Sequence, residues 1–159
     1  MPDLIKFYLN AGRDSEGRTL TEIWAMGDDE LMHMHDAIQW LFPVAEPSNF
    51  NANAPILTEE QIAEFNSNPQ LNQNLLKSFH RFMQVIGLEF DGNEIVECSD
   101  VGIWDSLNHN WLRFTRILRS LTMLGLPAEA FTFCFLERKI GNVPSMTYWQ
   151  EAVGLATIR

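Results

Sequence analysis

Two segments of the chain carry apolar residues at the spacing of an amphipathic α-helix, and this pattern limits the fold more than any other feature. In the first, residues 28–42, acidic residues begin at Asp28, which is placed to cap a helix whose positive end favours negative charge. Pro43 ends the segment, because the residue before a proline disfavours helical backbone. The apolar residues at intervals of three and four are Leu31, Met34, Ile38 and Leu41. The pattern predicts one long helix over residues 28–42.

The second long amphipathic segment covers about residues 107–124 and ends at Gly125 and Pro127. Shorter helices are predicted from their start signals. Thr19 with Glu22 and Thr58 with Gln61 have the spacing of capping boxes. The remaining helices are predicted over residues 69 to about 86, where Asn68-Pro69 marks the start, about 127–140 and 145–153.

The rest of the chain adds one β candidate and one long loop. Residues 88–97 contain the tight-turn pair Asp91-Gly92 between short apolar runs and predict a small β-hairpin. Residues 43–57 contain three prolines and three asparagines and show no periodicity, which is typical of a surface loop. We therefore expect a predominantly all-α fold, an irregular bundle of six or seven helices with one hairpin, in a single domain over residues 1–159.

Composition restricts the class of partner. The net charge of −10 repels nucleic acid backbones and anionic membrane surfaces, so we expect no nucleic acid partner. No apolar run approaches the ~20 residues of a membrane-spanning helix, and the first ten residues lack the apolar core of a signal peptide. Cys98 and Cys134 lack CxxC spacing and are interpreted as free thiols. We expect a cytoplasmic protein.

No segment has the sequence motif of a known catalytic or metal site. Nucleophile-elbow, phosphate-loop and dinucleotide-binding patterns are all missing from the sequence. His33 and His35 lie two residues apart and point to opposite sides of a helix, so they do not share a metal ion, and His35 is expected at the core edge. His80 and His109 are isolated in the sequence. We predict no catalytic residue, no metal and no cofactor.

The arginines of the second long helix form the candidate ligand site. Three of the 11 basic residues fall within seven positions, at Arg113, Arg116 and Arg119, and we call them the basic strip. Together with the polar helix start at Asn108, His109 and Asn110, the basic strip is suited to bind a phosphate or a carboxylate. The favoured alternative is that these arginines pair internally with Asp36, Asp105 or Glu129.

Trp40 is the aromatic member of the candidate site. It lies off the apolar stripe of residues 28–42 and beside Asp36. Trp40 is interpreted first as a core residue, and second as a contact for a binding partner. The predicted site is thus the surface where Trp40 and Asp36 meet Arg113 and Arg116.

Several segments resemble the conserved region of the opioid growth factor receptor family. The most specific are DDELMHMHDAIQWLFP at 28–43 and NHNWLRFTRILRSLTMLGL at 108–126. Others are FYLN at 7–10, EIW at 22–24, LTEEQIAEF at 57–65, RFMQVIGLEF at 81–90 and FLE at 135–137. The resemblance implies a receptor for an opioid peptide that is unrelated to seven-helix membrane receptors. It also implies growth inhibition and a nuclear or perinuclear location for members with further extensions, and it implies no catalytic residue.

Three classes of function follow from these observations. The first is an interaction module that binds a short peptide, a small anionic ligand or a protein. The second is an enzyme of unrecognised type, which requires a pocket that places His35 or His109 beside a carboxylate or thiol. The third is a homodimer formed through exposed Trp40, Trp104 or Trp149. The sequence leaves the oligomeric state open.

Overall fold

The computed structural model describes residues 2–49, 51–85, 87–91, 94–97 and 109–127, with side chains described for 2–49, 51–85 and 115–127. These residues are mostly helical, which confirms the predicted class. The helices are α1 Leu4–Tyr8, α2 Leu20–Trp24, α3 Asp28–His33, α4 His35–Leu41, α5 Glu59–Ser67, α6 Pro69–Val85 and α7 His109–Met123. Two short strands, β1 Leu88–Asp91 and β2 Glu94–Glu97, pair antiparallel. The helices predicted over 127–140 and 145–153 lie outside the described residues.

Both predicted capping boxes are confirmed. The side chains of Thr19 and Thr58 each accept a hydrogen bond from the backbone N–H three residues ahead, and Glu22 and Gln61 complete the boxes. Helix α1 was not predicted, although its start has a clear local cause. The Asp3 carboxylate caps α1 by accepting hydrogen bonds from two backbone N–H groups.

The prediction of a single long helix over residues 28–42 is wrong. The backbone of Met34 has φ −96° and ψ 83°, which ends α3 at His33 and lets α4 begin at His35. The N-cap of α3 is Gly27, without a side-chain cap, and not Asp28. After the break, α4 buries side chains on more than one face: Trp40 is buried together with Ile38 and Leu41. Burial of this additional apolar surface favours two short helices over one continuous helix.

Helix α6 lies at the centre of the described core. It contacts α1, α3, α5 and β1. Its start at Pro69 matches the prediction. The buried apolar side chains of α6 are Leu71, Leu75, Phe79, Phe82, Met83 and Val85. Among the helices described, none is long and apolar enough to cross a membrane.

The loop predicted over residues 43–57 is held at both ends. Val44 and Ile56 form a parallel bridge, and the N–H of Leu57 donates to the Val44 carbonyl at 2.9 Å. Inside the loop, the side chain of Gln39 donates to Ser48 Oγ at 2.9 Å and accepts from Asn51 Nδ2 at 2.7 Å. These bonds give the loop a defined path against α4.

Candidate functional site

The central arginine of the basic strip, Arg116, contacts the protein backbone. Its Nε donates to the Phe42 carbonyl at 2.8 Å, and its Nη2 donates to the Gln39 carbonyl at 3.0 Å. Burial lowers the pKa of Arg116 to about 10, so the guanidinium still carries its charge at neutral pH. Arg116 therefore caps the carbonyl end of α4 and fastens it to α7.

The other members of the basic strip and the polar helix start are described only in part. Arg119 forms an ion pair with Glu46, in the loop that follows α4. The backbones of His109, Asn110 and Arg113 belong to α7, but their side chains lie outside the described residues, as does all of Asn108. Asp105 and Glu129, two of the predicted acidic partners, also lie outside. Ligand binding by the basic strip stays a prediction.

Asp36 pairs with Arg18, a residue that sequence reasoning did not single out. Arg18 Nη2 lies 2.9 Å from Asp36 Oδ2 and 2.7 Å from Asp14 Oδ2. Burial opposes the charge of Arg18, but its bonds with Asp14 and Asp36 outweigh this effect and raise its pKa. The described contacts of Asp36 are thus with Arg18, whereas the prediction placed Asp36 beside Arg113 and Arg116.

Trp40 is a core residue, as the first interpretation had it. Its side chain is 3% exposed and packs edge-on against Phe7, with ring centroids 5.2 Å apart. Its Nε1 donates to Ser15 Oγ at 3.3 Å. Because Trp40 is buried within the monomer, it offers little surface for the predicted dimer contact.

A cleft of about 500 Å³ opens beside Trp40. It is lined by the start of α1, the turn at residues 52–56 and the first turn of α5, together with Ser15 and Trp40. The volume falls within the usual range of small-ligand sites, roughly 300–1,000 Å³. Sequence reasoning missed this cleft; the signal for it was the unusual length of the 43–57 loop, because long ordered loops often carry binding sites.

The cleft combines an apolar rim with a few polar groups. Ile56, on the rim, is 51% exposed, and Leu9 is the other large hydrophobic residue exposed within the described residues. Asp3 supplies a carboxylate to the same cleft, and Gln61 supplies a side-chain amide. The cleft is therefore suited to a ligand that has both an apolar and a polar part.

The described histidines do not belong to a metal cluster. His33 Nδ1 lies 2.8 Å from the Asp29 carbonyl, within the same helix. His35 is exposed, which corrects the expectation that it faces the core edge. No group of three or more histidine, cysteine or acidic side chains in the described part of the chain is placed to hold a metal ion.

Comparison with known proteins shows the family. The family described as "Opioid growth factor receptor (OGFr) conserved region" matches residues 4–143. The chain belongs to this family. It is 34% identical over 110 residues to the mouse opioid growth factor receptor, covering 65% of this chain and 17% of the relative. It is 32% identical over 131 residues to opioid growth factor receptor-like protein 1 of Xenopus tropicalis, covering 76% and 25%.

The relatives are much longer than the matched region. The chain spans about a sixth to a quarter of the length of the curated relatives it matches. The human opioid growth factor receptor, for example, is 32% identical over 110 residues, which cover 16% of that protein. No solved structure matches the chain. These relatives are named either as the opioid growth factor receptor or as opioid growth factor receptor-like protein 1.

Proposed function

We propose that the chain is an interaction module that binds a short peptide in the cleft beside Trp40 and carries out no catalysis. The observation that supports the proposal is the open cleft of about 500 Å³, with an apolar rim and a carboxylate. The names of the mouse and human relatives support a peptide ligand, because both are named receptors for an opioid growth factor. A cytoplasmic location and a single domain over residues 1–159 stay predictions.

The cleft walls are held by contacts that do not depend on a ligand. Trp40 is packed against Phe7, and Asp3 is fixed as the cap of α1. The turn that lines the cleft is held by the bridge between Ile56 and Val44. A site formed before binding loses less conformational entropy when the ligand arrives, which favours affinity.

Calorimetric titration of the chain with the opioid growth factor peptide tests the proposal. We expect saturable binding at a stoichiometry of one, and no saturable binding of a scrambled peptide with the same composition. Equal heats from both peptides would show that the module does not recognise peptide sequence. If the opioid growth factor peptide shows no saturable binding, the proposed function is refuted.

The anion site on the basic strip is the second candidate and is tested separately. Arg113 is the residue chosen for substitution, because Arg116 already donates to the Phe42 carbonyl and Arg119 already pairs with Glu46. If the basic strip binds an anion, inorganic phosphate raises the melting temperature of the parent and not that of Arg113→Ala. Equal shifts in both proteins would assign the phosphate effect to another surface.

A further inference from the structure

We infer that the cleft recognises the free amino terminus of its peptide, with the ammonium group at Asp3 and an apolar side chain against Ile56. This inference rests on the proposed function and adds the chemistry and the orientation of the ligand. It assigns a peptide whose first residues carry a positive charge and an apolar group. Its evidence is the placement of one carboxylate, one exposed apolar side chain and two polar groups around the same cavity.

The Asp3 carboxylate has an oxygen left for a cation. Its Oδ1 accepts from the N–H of Ile5 at 2.9 Å and of Lys6 at 3.2 Å. Its Oδ2 accepts no hydrogen bond from the residues that the structure describes. An ammonium group that contacts Oδ2 forms a charge-assisted hydrogen bond while the cap of α1 stays intact.

The charge of the whole chain favours the same ligand. The sequence has 21 acidic and 11 basic residues, and the resulting field attracts cations and repels anions. Asp3 is the acidic member of the cleft lining. A peptide amino terminus is therefore attracted to the protein in general and to Asp3 in particular.

The turn at residues 52–56 supplies the apolar contact. Ile56 is half-exposed and lies beside Pro55 and the small side chains of Ala52 and Ala54. Small residues allow a ligand to approach the turn closely, and Ile56 gains burial when an apolar side chain covers it.

Two further groups of the cleft lining are suited to hold the peptide backbone. Gln61 uses its Oε1 to accept the Thr58 N–H at 3.0 Å, and its amide NH₂ can donate to a peptide carbonyl. The Ser15 hydroxyl accepts from Trp40 Nε1, and its own proton can be donated. Both groups are donors, as the carbonyls of an extended peptide require.

The test compares the opioid growth factor peptide with its N-acetylated form on the parent and on Asp3→Asn. Asparagine caps a helix as well as aspartate does, so this variant removes the charge and keeps α1. We expect acetylation to weaken parent binding by about tenfold, and Asp3→Asn to bind both peptides equally and about tenfold more weakly than the parent binds the free peptide. Asp29→Asn, an exposed acid on α3 away from the cleft, is the matched control and keeps the parent's preference.

A second pair of variants tests the apolar contact at Ile56. Ile56→Ser is expected to weaken binding of the free peptide by about fivefold, whereas Leu9→Ser, the matched exposed residue outside the cleft, leaves it unchanged. If Asp3→Asn fails to fold, Asp3→Ser replaces it, because serine is also a strong helix cap.

The outcomes separate the two proposals. If the parent binds neither peptide, the proposed function is refuted, and this inference with it. If the parent binds the free and acetylated peptides equally, or if Asp3→Asn keeps the preference for the free peptide, the amino-terminal site is refuted while peptide binding stands.

Discussion

At the scale of single residues, Asp14 is a carboxylate buried in the described core, at 3% exposure. It accepts hydrogen bonds from the backbone N–H groups of Glu16 and Arg18 and pairs with the Arg18 guanidinium. Asp36, the other partner of Arg18, has a side chain that is 31% exposed. The two acids are therefore expected to contribute differently to the free energy of unfolding, although both contact the same arginine.

Asp14→Ala is expected to lower the free energy of unfolding by about 3 kcal/mol, because it removes a buried charge partner and the acceptor of two backbone N–H groups. Asp36→Ala, the matched control, is expected to cost less than about 1 kcal/mol, since solvent screens its pair with Arg18. Urea denaturation at pH 7 measures both. Equal losses would show that the turn at residues 14–18 does not depend on Asp14.

Tyr8 is the second informative residue. Its hydroxyl donates to the Leu41 carbonyl and lies 2.9 Å from Ser78 Oγ, so it joins α1, α4 and α6. Burial raises the pKa of Tyr8 above its ordinary value, and the hydrogen bond with Ser78 opposes this only in part. The folded protein thus keeps the phenol protonated at a pH where the unfolded chain releases the proton.

Tyr8→Phe is expected to cost about 1–2 kcal/mol at neutral pH, because the buried Leu41 carbonyl loses its donor. As pH rises above about 10, the ordinary pKa of tyrosine, the unfolded parent ionises and the folded parent does not, so the parent loses stability. The difference between parent and variant should therefore shrink above pH 10. Urea titrations at pH 7, 9 and 10.5 measure it, and a difference that stays constant over this range contradicts the argument.

At the scale of elements, the end of α7 depends on a glycine. Gly125 has φ +98°, and a Cβ placed there would lie 2.6 Å from Asn66 Oδ1. The Asn66 amide donates to the Ile62 carbonyl at 2.8 Å and to the Met123 carbonyl at 3.1 Å, and so links α5 to the last turn of α7. Gly17 has a similar φ of +83°, but a Cβ there would meet nothing within 4 Å.

Gly17→Ala is expected to cost about 1 kcal/mol, which is the backbone penalty of an L residue at positive φ. Gly125→Ala is expected to cost at least about 2 kcal/mol, because the added methyl group also displaces Asn66 from its two acceptors. Thermal unfolding of the pair separates the two effects. Similar melting temperatures for both variants would show that the Asn66 contact adds nothing.

At the scale of the whole molecule, α6 connects the described parts of the core. Leu75 is fully buried on α6, and the same core cluster includes Phe7 from α1, Phe65 from α5 and Leu121 from α7. Because these side chains share one core, a cavity in α6 affects all of these elements together.

Leu75→Ala is expected to lower the free energy of unfolding by about 2–5 kcal/mol, the range for large-to-small core substitutions. Native-state hydrogen exchange should show the same loss of protection in α1, α5 and α7 as in α6. Leu9→Ala, at an exposed site, serves as the control and should leave protection in all four helices unchanged. A loss confined to α6 would show that the described core unfolds in independent parts.

Local signals in the sequence decided where most of the described elements begin and end. The capping boxes at Thr19 and Thr58 and the start at Pro69 were predictable because a helix start depends on residues within one turn of it. The apolar face of α6 was predictable because its period is that of a helix. The short α1 was missed, because five residues give no usable periodicity.

Tertiary structure decided the candidate site. The sequence by itself determined a mostly helical chain, its family resemblance and the burial of Leu31, Ile38 and Leu41. Three features depend on the folded chain. The predicted helix over residues 28–42 is interrupted at Met34, Arg116 donates to the Phe42 carbonyl, and Asp36 pairs with Arg18. The cleft also arises only on folding, since it joins Asp3 to residues about 50 positions later. Caps and periodicity act between near neighbours along the chain, whereas partners and cavities depend on which distant segments packing brings together.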